Sequence, residues 1–136
     1  MKLDIELLAH IMKCAENWEQ KKPMQNFDFM IQKEFDNEDE ELKELNRVGN
    51  HLRILVDAGL LVGSDESSMR KVVYFILGIT LEGYAVIPKL KDPVVTEKTK
   101  SIIGKVGNMA AEAAFSVFMQ QTLISLTAQF GHLILK

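Results

Sequence analysis

Residues 51–61 read HLRILVDAGLL and residues 79–84 read ITLEGY, and these two strings decide the fold. Before and within the first string, apolar residues recur every three or four positions, which predicts an amphipathic helix over residues 45–58. Gly59 should end this helix, because glycine readily adopts the left-handed conformation that closes a helix. The predicted core positions are Leu45, Val48, Leu52, Leu55 and Val56, and the positions opposite them are Asn46, Asn50, Arg53 and Asp57.

A β-hairpin is predicted between the two strings. Leu60–Val62 and Met69–Ile79 are apolar segments, and the polar residues between them have the composition of a flexible turn. Thr80 can accept a backbone hydrogen bond in the first turn of a following helix. That helix should continue to about residue 91, with a kink at Pro88.

The residues before the amphipathic helix predict one further helix and a short strand. Leu3–Glu19 has a wide apolar face at helical spacing and should form a core helix that ends before Pro23. Phe27, Phe29 and Ile31 alternate with other residues, which favours a short strand.

An acidic run follows the predicted strand. Residues 34–44 hold seven acids and one lysine, a local net charge of −6, so the rest of the chain carries +3. The run fits a solvated helix start, where the helix dipole favours acids; a metal site or a site for a basic partner is the alternative. The acids are Glu34, Asp36, Glu38, Asp39, Glu40, Glu41 and Glu44, and the base is Lys43.

The predicted order is helix, short strand, acidic helix, amphipathic helix and hairpin, which is the order of a winged helix-turn-helix domain. Asp92-Pro93 should begin another helix that breaks at Gly104 or Gly107, before a last helix over roughly residues 109–135. We therefore predict an α+β fold. A winged helix-turn-helix domain with a small antiparallel β-hairpin wing occupies residues 1–90, and a C-terminal helical extension for dimerisation occupies residues 91–136.

Several segments resemble the bacterial and prophage family called domain of unknown function 2513. They are the start MKLDIELL, the string H-L-x-x-L-x-x-A-G-L at residues 51–60, DPVVTEKTK at residues 92–100, and KVG at residues 105–107. Residues 79–83 are also similar to the strand-to-helix step L-T-x-E-G of winged-helix repressors. The resemblance covers most of residues 1–107 and implies the winged-helix plan shared by YjcQ-type relatives, but no particular activity.

A winged helix suggests first a DNA-binding or transcription-regulatory protein, whose partner is double-stranded DNA. A helix in the major groove needs side chains that pair with base edges and others that hold phosphates. The alternative is a protein-interaction adaptor that does not bind nucleic acid, in which Arg47 and Arg53 pair with acids such as Glu44 and Asp57. Acids at the wing tip and before the helix favour this alternative, since they repel phosphates. The candidate DNA-binding residues are Asn46, Arg47, Asn50 and Arg53 on the helix, and Arg70 and Lys71 at the base of the wing.

The last predicted helix has no charge over residues 113–135. Its length permits a membrane span, but recurring polar residues would be costly in hydrocarbon. Its apolar residues cover much of the circumference, so a homodimer through this helix is the simplest way to hide them; folding back on the same domain and membrane attachment are the alternatives. The candidate dimerisation residues are Phe115, Phe118, Met119, Leu123, Ile124, Leu126, Phe130 and Leu133.

Composition and motifs narrow the remaining functions. The 136 residues are 47% hydrophobic and 26% charged, as in an ordinary globular protein, and the net charge of −3 gives no general attraction to nucleic acid. The start does not resemble a secretory signal, so we expect a cytoplasmic location. His10 and Cys14 could supply two metal ligands, fewer than zinc needs. The sequence holds no phosphate loop, G-x-S-x-G elbow or dinucleotide fingerprint, so we expect neither catalysis nor a cofactor.

Overall fold

Six helices and one antiparallel hairpin form the part of the chain that this computed structural model describes, residues 1–19 and 22–134, with side chains of the last helix described as far as Leu123. The arrangement confirms the predicted α+β class: a helical domain with a β-hairpin wing, followed by C-terminal helices. The helices are α1 (Ile5–Glu16), α2 (Asn26–Phe29), α3 (Glu38–Asp57), α4 (Leu81–Leu90), α5 (Pro93–Val106) and α6 (Ala111–Ile134), and the strands are β1 (Leu61–Asp65) and β2 (Tyr74–Ile79).

The core lies between α1, α3 and the inner face of the hairpin. Asp4 begins α1, because its Oδ1 accepts the Leu7 N–H at 3.1 Å. The apolar spacing of α1 then turns one side of the helix into the core, where each large side chain contributes about 1.5–3 kcal/mol by leaving water. The fully buried residues of this centre include Leu7, Leu8, Ile11 and Met12 of α1 and Val48, Leu52 and Leu55 of α3.

The short strand predicted at residues 27–31 is wrong, because this segment begins with the one-turn helix α2. The Asp28 carboxylate favours the turn by accepting a backbone N–H at its start, at 2.8 Å. Phe29 is buried, but Phe27 and Ile31 are 52% and 64% exposed. The alternating pattern therefore produces no single buried face of the kind that a strand would need.

The acidic helix and the amphipathic helix predicted from the sequence are one continuous helix of 20 residues, α3. Asn37 begins it, since its side chain accepts the Glu40 N–H at 2.9 Å. Four acids occupy the first turn and are exposed, as predicted for a solvated helix start. Gly59, with a φ of 78°, follows the helix where the sequence predicted its end.

The wing is the predicted hairpin with a longer first strand, which continues to Asp65, and a shorter second strand. Strand β1 pairs antiparallel with β2, with Leu61 opposite Ile79 and Asp65 opposite Tyr74. Met24 adds an isolated bridge to the far side of β2 through two hydrogen bonds of 2.8 Å with Ile76. Residues 69–73, predicted as strand, lie outside β2 because their backbone is held by side chains from elsewhere in the fold, described below.

The helices after the wing begin at the predicted caps. Thr80 Oγ1 accepts the Gly83 N–H at 3.0 Å and donates to the Gly59 carbonyl at 2.6 Å, which fixes the start of α4 against the end of α3. Asp92 Oδ1 accepts the Val94 N–H at 2.9 Å at the start of α5. The sequence predicted the cap at Thr80 and the start of a helix at Asp92-Pro93.

The last two helices pack on each other and extend the same core. Val95 of α5 and Phe115 and Phe118 of α6 belong to the buried cluster that contains α1 and α3. The rings of Phe115 and Phe118 stack with centroids 5.9 Å apart. Within the described ranges, we find no helix with both the length and the apolar character needed to cross a bilayer.

Candidate nucleic-acid interface

Asn46 holds the residues before β2 against α3. Its Nδ2 donates to the Arg70 carbonyl at 3.0 Å, and its Oδ1 accepts the Val72 N–H at 2.8 Å. An amide that reads adenine uses one donor and one acceptor together. Asn46 already uses this pair of groups to position the wing.

Arg47 lies in a network of two acids. Its guanidinium forms two hydrogen bonds to Glu44, at 2.8 and 3.1 Å, and one to Asp4 at 2.9 Å. The bond to Glu44 is the largest of the effects that raise the pKa of Arg47. Partial burial raises the pKa of Asp4, but bonds from the Leu7 N–H and from Arg47 outweigh it, so the pKa is lowered overall. The charge of Arg47 is therefore balanced within the fold.

Asn50 and Arg53 also have partners within the chain. Asn50 Nδ2 donates to the Asn46 carbonyl one turn earlier, at 2.9 Å. Arg53 Nη2 lies 3.0 Å from Glu112 Oε1, which comes from the first turn of α6. The sequence suggested Asp57 as an acidic partner for Arg53, but the chain brings Glu112 to it from 59 residues away.

The middle of α3 has no residue that is fully open to solvent. From Glu44 to Val56 every residue is buried or half-buried, because α1, α2 and both strands contact this helix. The exposed residues of α3 lie mainly in its first two turns, where four acids stand against the single base Lys43. A helix that enters a groove needs an open basic or polar face, and α3 presents an acidic end.

Arg70 and Lys71 are the exposed members of the predicted set. They line a groove of about 390 Å³ together with Glu38 and Glu41 from the start of α3. The structure thus places the two wing cations beside acids and does not gather them with Arg47 and Arg53 into one basic surface.

A second groove, of about 580 Å³, lies where the chain start meets α3 and α5. Its walls carry Lys2, Arg47 and Lys100 as well as Asp4 and Glu6, so cations and anions oppose each other across it. Lys100 and Glu6 form an ion pair between α5 and α1. The groove therefore has no strong preference for ligands of one charge.

His51 is a buried residue whose structural role the sequence did not suggest. Its side chain is fully buried and joins α1 to α3: Nε2 accepts the Asp4 N–H at 3.0 Å, and Nδ1 lies 2.7 Å from the Arg47 carbonyl. This pairing requires a neutral ring with its proton on Nδ1. Desolvation accordingly lowers the pKa of His51 below its ordinary value of 6.5.

We expect the stability of the protein to fall as the pH drops below about 6.5. The pKa of His51 is lower in the folded chain than in the unfolded chain, so the unfolded chain binds the extra proton first. The free energy of unfolding should then decrease with a slope approaching about 1.4 kcal/mol per pH unit for this one proton. Urea unfolding at several pH values between 5 and 8 measures this slope. His51→Gln should flatten the profile; a slope in this variant equal to that of the wild type would contradict this role.

Asn26 is a second residue that sequence analysis missed. It is 2% exposed, and its side chain forms three hydrogen bonds to backbone groups of different elements. Nδ2 donates to the carbonyls of Leu45 at 2.9 Å and Val72 at 2.6 Å, and Oδ1 accepts the Tyr74 N–H at 3.0 Å. These bonds join α2, α3 and β2. A single asparagine in a polar segment gives no sequence pattern by which this role could be recognised.

Four large apolar side chains are exposed on the wing and in the first turn of α4. Val62 is opposite Gly78, and the register of the hairpin is irregular after Val62, so Leu77 has no partner in β1. Leu81 and Tyr84 lie one helical turn apart just after β2. Their exposures are 47% for Val62, 68% for Leu77, 85% for Leu81 and 51% for Tyr84. We call these four residues the wing patch. The sequence did not reveal it, because an apolar strand residue is normally expected in the core.

The candidate dimerisation residues divide into separate groups. Phe115 and Phe118 are 6% and 0% exposed within the single chain, so they have little surface to offer a second copy. Met119 is half-buried against the same core, and Leu123 is 61% exposed. Ile124, Leu126, Phe130 and Leu133 lie outside the residues whose side chains the structure describes.

A comparison with protein families finds a match for most of the chain. A family model described as "Hypothetical protein (DUF2513)" matches residues 2–109, which include α1 to α5 and the wing. Among curated proteins and solved structures, none matches the chain.

Proposed function

Because the chain belongs to the DUF2513 family, whose description names no activity, we propose its function from its geometry. The protein is a non-catalytic module that binds another protein through the wing patch. It uses the plan of a winged helix-turn-helix domain as a scaffold for this contact and does not read DNA with α3.

The exposure of the wing patch carries this proposal. Four large apolar side chains are 47–85% exposed on three consecutive elements, β1, β2 and the first turn of α4. Single exposed apolar residues are ordinary, but neighbouring ones form the kind of surface that partner proteins cover. Tyr84 strengthens the case, because tyrosine combines a large apolar ring with a polar end and is enriched in interfaces.

The hydrogen bonds and ion pairs that the α3 side chains form within the chain argue against α3 binding in a groove of DNA. Phosphate contacts supply most non-specific affinity for DNA and depend on available cations. Arg47 and Arg53 are paired with acids, and Asn46 is bonded to the wing. DNA would have to compete with these contacts and approach the exposed acids of the first turn.

A DNA-binding measurement separates the two candidate functions. We expect no change in fluorescence anisotropy when the full chain is titrated into a labelled random-sequence duplex at about 50 mM salt, a condition that favours non-specific binding. Arg53→Ala should behave like the wild-type chain. Binding that weakens steeply with salt and is lost in Arg53→Ala would overturn the proposal in favour of a DNA-binding regulator.

A charge-insertion pair tests the wing patch directly. Leu77→Lys with Leu81→Lys places two charges in the patch, and Met69→Lys with Ile31→Lys places two at other exposed apolar positions. All four substitutions are at the surface, so each should change the free energy of unfolding by no more than about 0.5 kcal/mol. In quantitative affinity capture, we expect the patch variant to lose proteins that the wild type and the control both retain. Identical recoveries from all three would contradict the assignment of the patch.

A further inference from the structure

Residues 1–4 are held against α3 mainly through Asp4. The Asp4 N–H donates to Nε2 of His51 at 3.0 Å, and the Asp4 carboxylate accepts a hydrogen bond from Arg47 at 2.9 Å. His51 and Arg47 lie about one turn apart on α3, so Asp4 bonds twice to the same side of this helix. Leu3 adds a partly buried apolar contact with the core. The position of residues 1–4 therefore depends on the two partners of Asp4 on α3.

The His51 ring can hold Asp4 only while the ring is neutral. Nδ1 lies 2.7 Å from the Arg47 carbonyl, which can only accept, so Nδ1 carries the ring proton. The Asp4 N–H can only donate, so Nε2 must accept. A second proton, on Nε2, would point at the Asp4 N–H, and two donors would face each other. The ring is fully buried in the folded chain, so water does not reach it to take the place of Asp4. Protonation of the ring and its bond to Asp4 therefore exclude each other.

The charged groups near this imidazole come from the start of α1, from α3 and from α5. Arg47 opposes a second positive charge on the ring, whereas Asp4 and Glu44 favour it. Glu6 and Lys100 form an ion pair next to Asp4, and their charges cancel. Burial of the ring is the largest effect, and it keeps the pKa of this imidazole below its ordinary value. The charged ring is thus more stable once residues 1–4 have moved away and water can reach it.

We propose that His51 is an acid-sensitive switch: when its ring takes up a second proton, residues 1–4 separate from α3 while the rest of the core stays folded. The core stays folded because α1 packs against α3, α4 and β2 through its own residues, which begin after Asp4. Release removes the Asp4 cap from α1. It also removes the wall that Lys2, Leu3 and Asp4 give to the groove of about 580 Å³, and so opens this groove. The switch uses no residue of the wing patch and stands whether or not the patch binds a partner.

Amide hydrogen exchange of the full chain, followed by NMR at about pH 7 and about pH 5, tests the switch. The N–H groups of Asp4, Leu7 and Leu8 bond to His51, to the Asp4 carboxylate and to the Asp4 carbonyl, so all three lose their partners on release. Each rate is divided by the rate of an unstructured peptide at the same pH. The released ring titrates at its ordinary pKa of 6.5, so the three relative rates should rise by up to about 20-fold at the lower pH. They should also exceed the rate of the buried Leu55 N–H, which reports unfolding of the whole chain, at both pH values.

His51→Gln shows whether the change belongs to this ring. The glutamine amide offers an acceptor to the Asp4 N–H and gains no proton in this pH range, so the three relative rates should be the same at both pH values. Wild-type rates that do not change with pH, or that equal the rate of Leu55, would overturn the proposal, as would a His51→Gln variant that keeps the wild-type pH dependence. The wild-type comparison needs no variant, so it decides the proposal even if His51→Gln does not fold.

Discussion

Replacing Asn26 by alanine should lower the free energy of unfolding by about 3–5 kcal/mol. The substitution removes three hydrogen bonds at once and leaves the Tyr74 N–H and the carbonyls of Leu45 and Val72 without the partner they have in the fold. Each buried polar group that loses its partner costs about 1–3 kcal/mol. The loss should be large because water reaches this site poorly: Asn26 is 2% exposed.

Asn50→Ala is the matched control for this prediction. It also removes an asparagine amide, but Asn50 forms one hydrogen bond, to a carbonyl of its own helix, and is half-buried. We expect a loss below about 1 kcal/mol. Urea denaturation at neutral pH measures both variants on one scale. If the two substitutions cost the same, the junction of α2, α3 and β2 does not depend on Asn26.

Gly83→Ala should cost about 3 kcal/mol, the upper part of the range for overpacking. A Cβ atom at this position would lie 2.1 Å from the Leu60 carbonyl oxygen and 2.6 Å from Ile79 Cγ2. Leu60 cannot yield easily, since its carbonyl accepts the Thr80 N–H at 3.1 Å and its side chain is buried. The added methyl group must therefore push α4 away from the base of the wing.

Gly104→Ala is the control, because it should raise the free energy of unfolding where Gly83→Ala lowers it. Gly104 lies inside α5, and a Cβ atom there would meet nothing within 4 Å. Alanine is favoured over glycine in a helix by about 0.5–1 kcal/mol, so this variant should be more stable than the wild type. Thermal unfolding followed by circular dichroism gives both shifts. A Gly83→Ala protein as stable as the wild type would show that the approach of α4 to Leu60 is not a rigid constraint.

The contacts of Thr80 and Gly83 also explain the string ITLEGY in physical terms. Thr80 caps α4 and bonds to the Gly59 carbonyl, while Gly83 permits contact with the Leu60 backbone. Together they fix the angle between the end of α3, the wing and α4. These residues therefore specify an architecture and not a chemical activity, which is why a resemblance in this string predicts the fold and leaves the function open.

Sequence periodicity predicted most of the secondary structure. The helices α1 and α4 to α6, the wing and the caps at Thr80 and Asp92 follow from apolar spacing and from local hydrogen bonds, which depend on residues within one turn of each other. The strand predicted at residues 27–31 failed because alternation over five residues is a weak pattern and Asp28 stabilises a turn there.

Only the tertiary structure decided which polar residues of α3 are available to bind a partner. The sequence placed Asn46, Arg47 and Arg53 on an outward face, but a helical pattern cannot tell an open face from one that a distant segment covers. The Arg47 partner Asp4 lies 43 residues away and the Arg53 partner Glu112 lies 59 residues away. Such pairings arise from the way the helices pack, so the sequence determined the elements of this protein, and their packing determined which charges and apolar side chains remain at its surface.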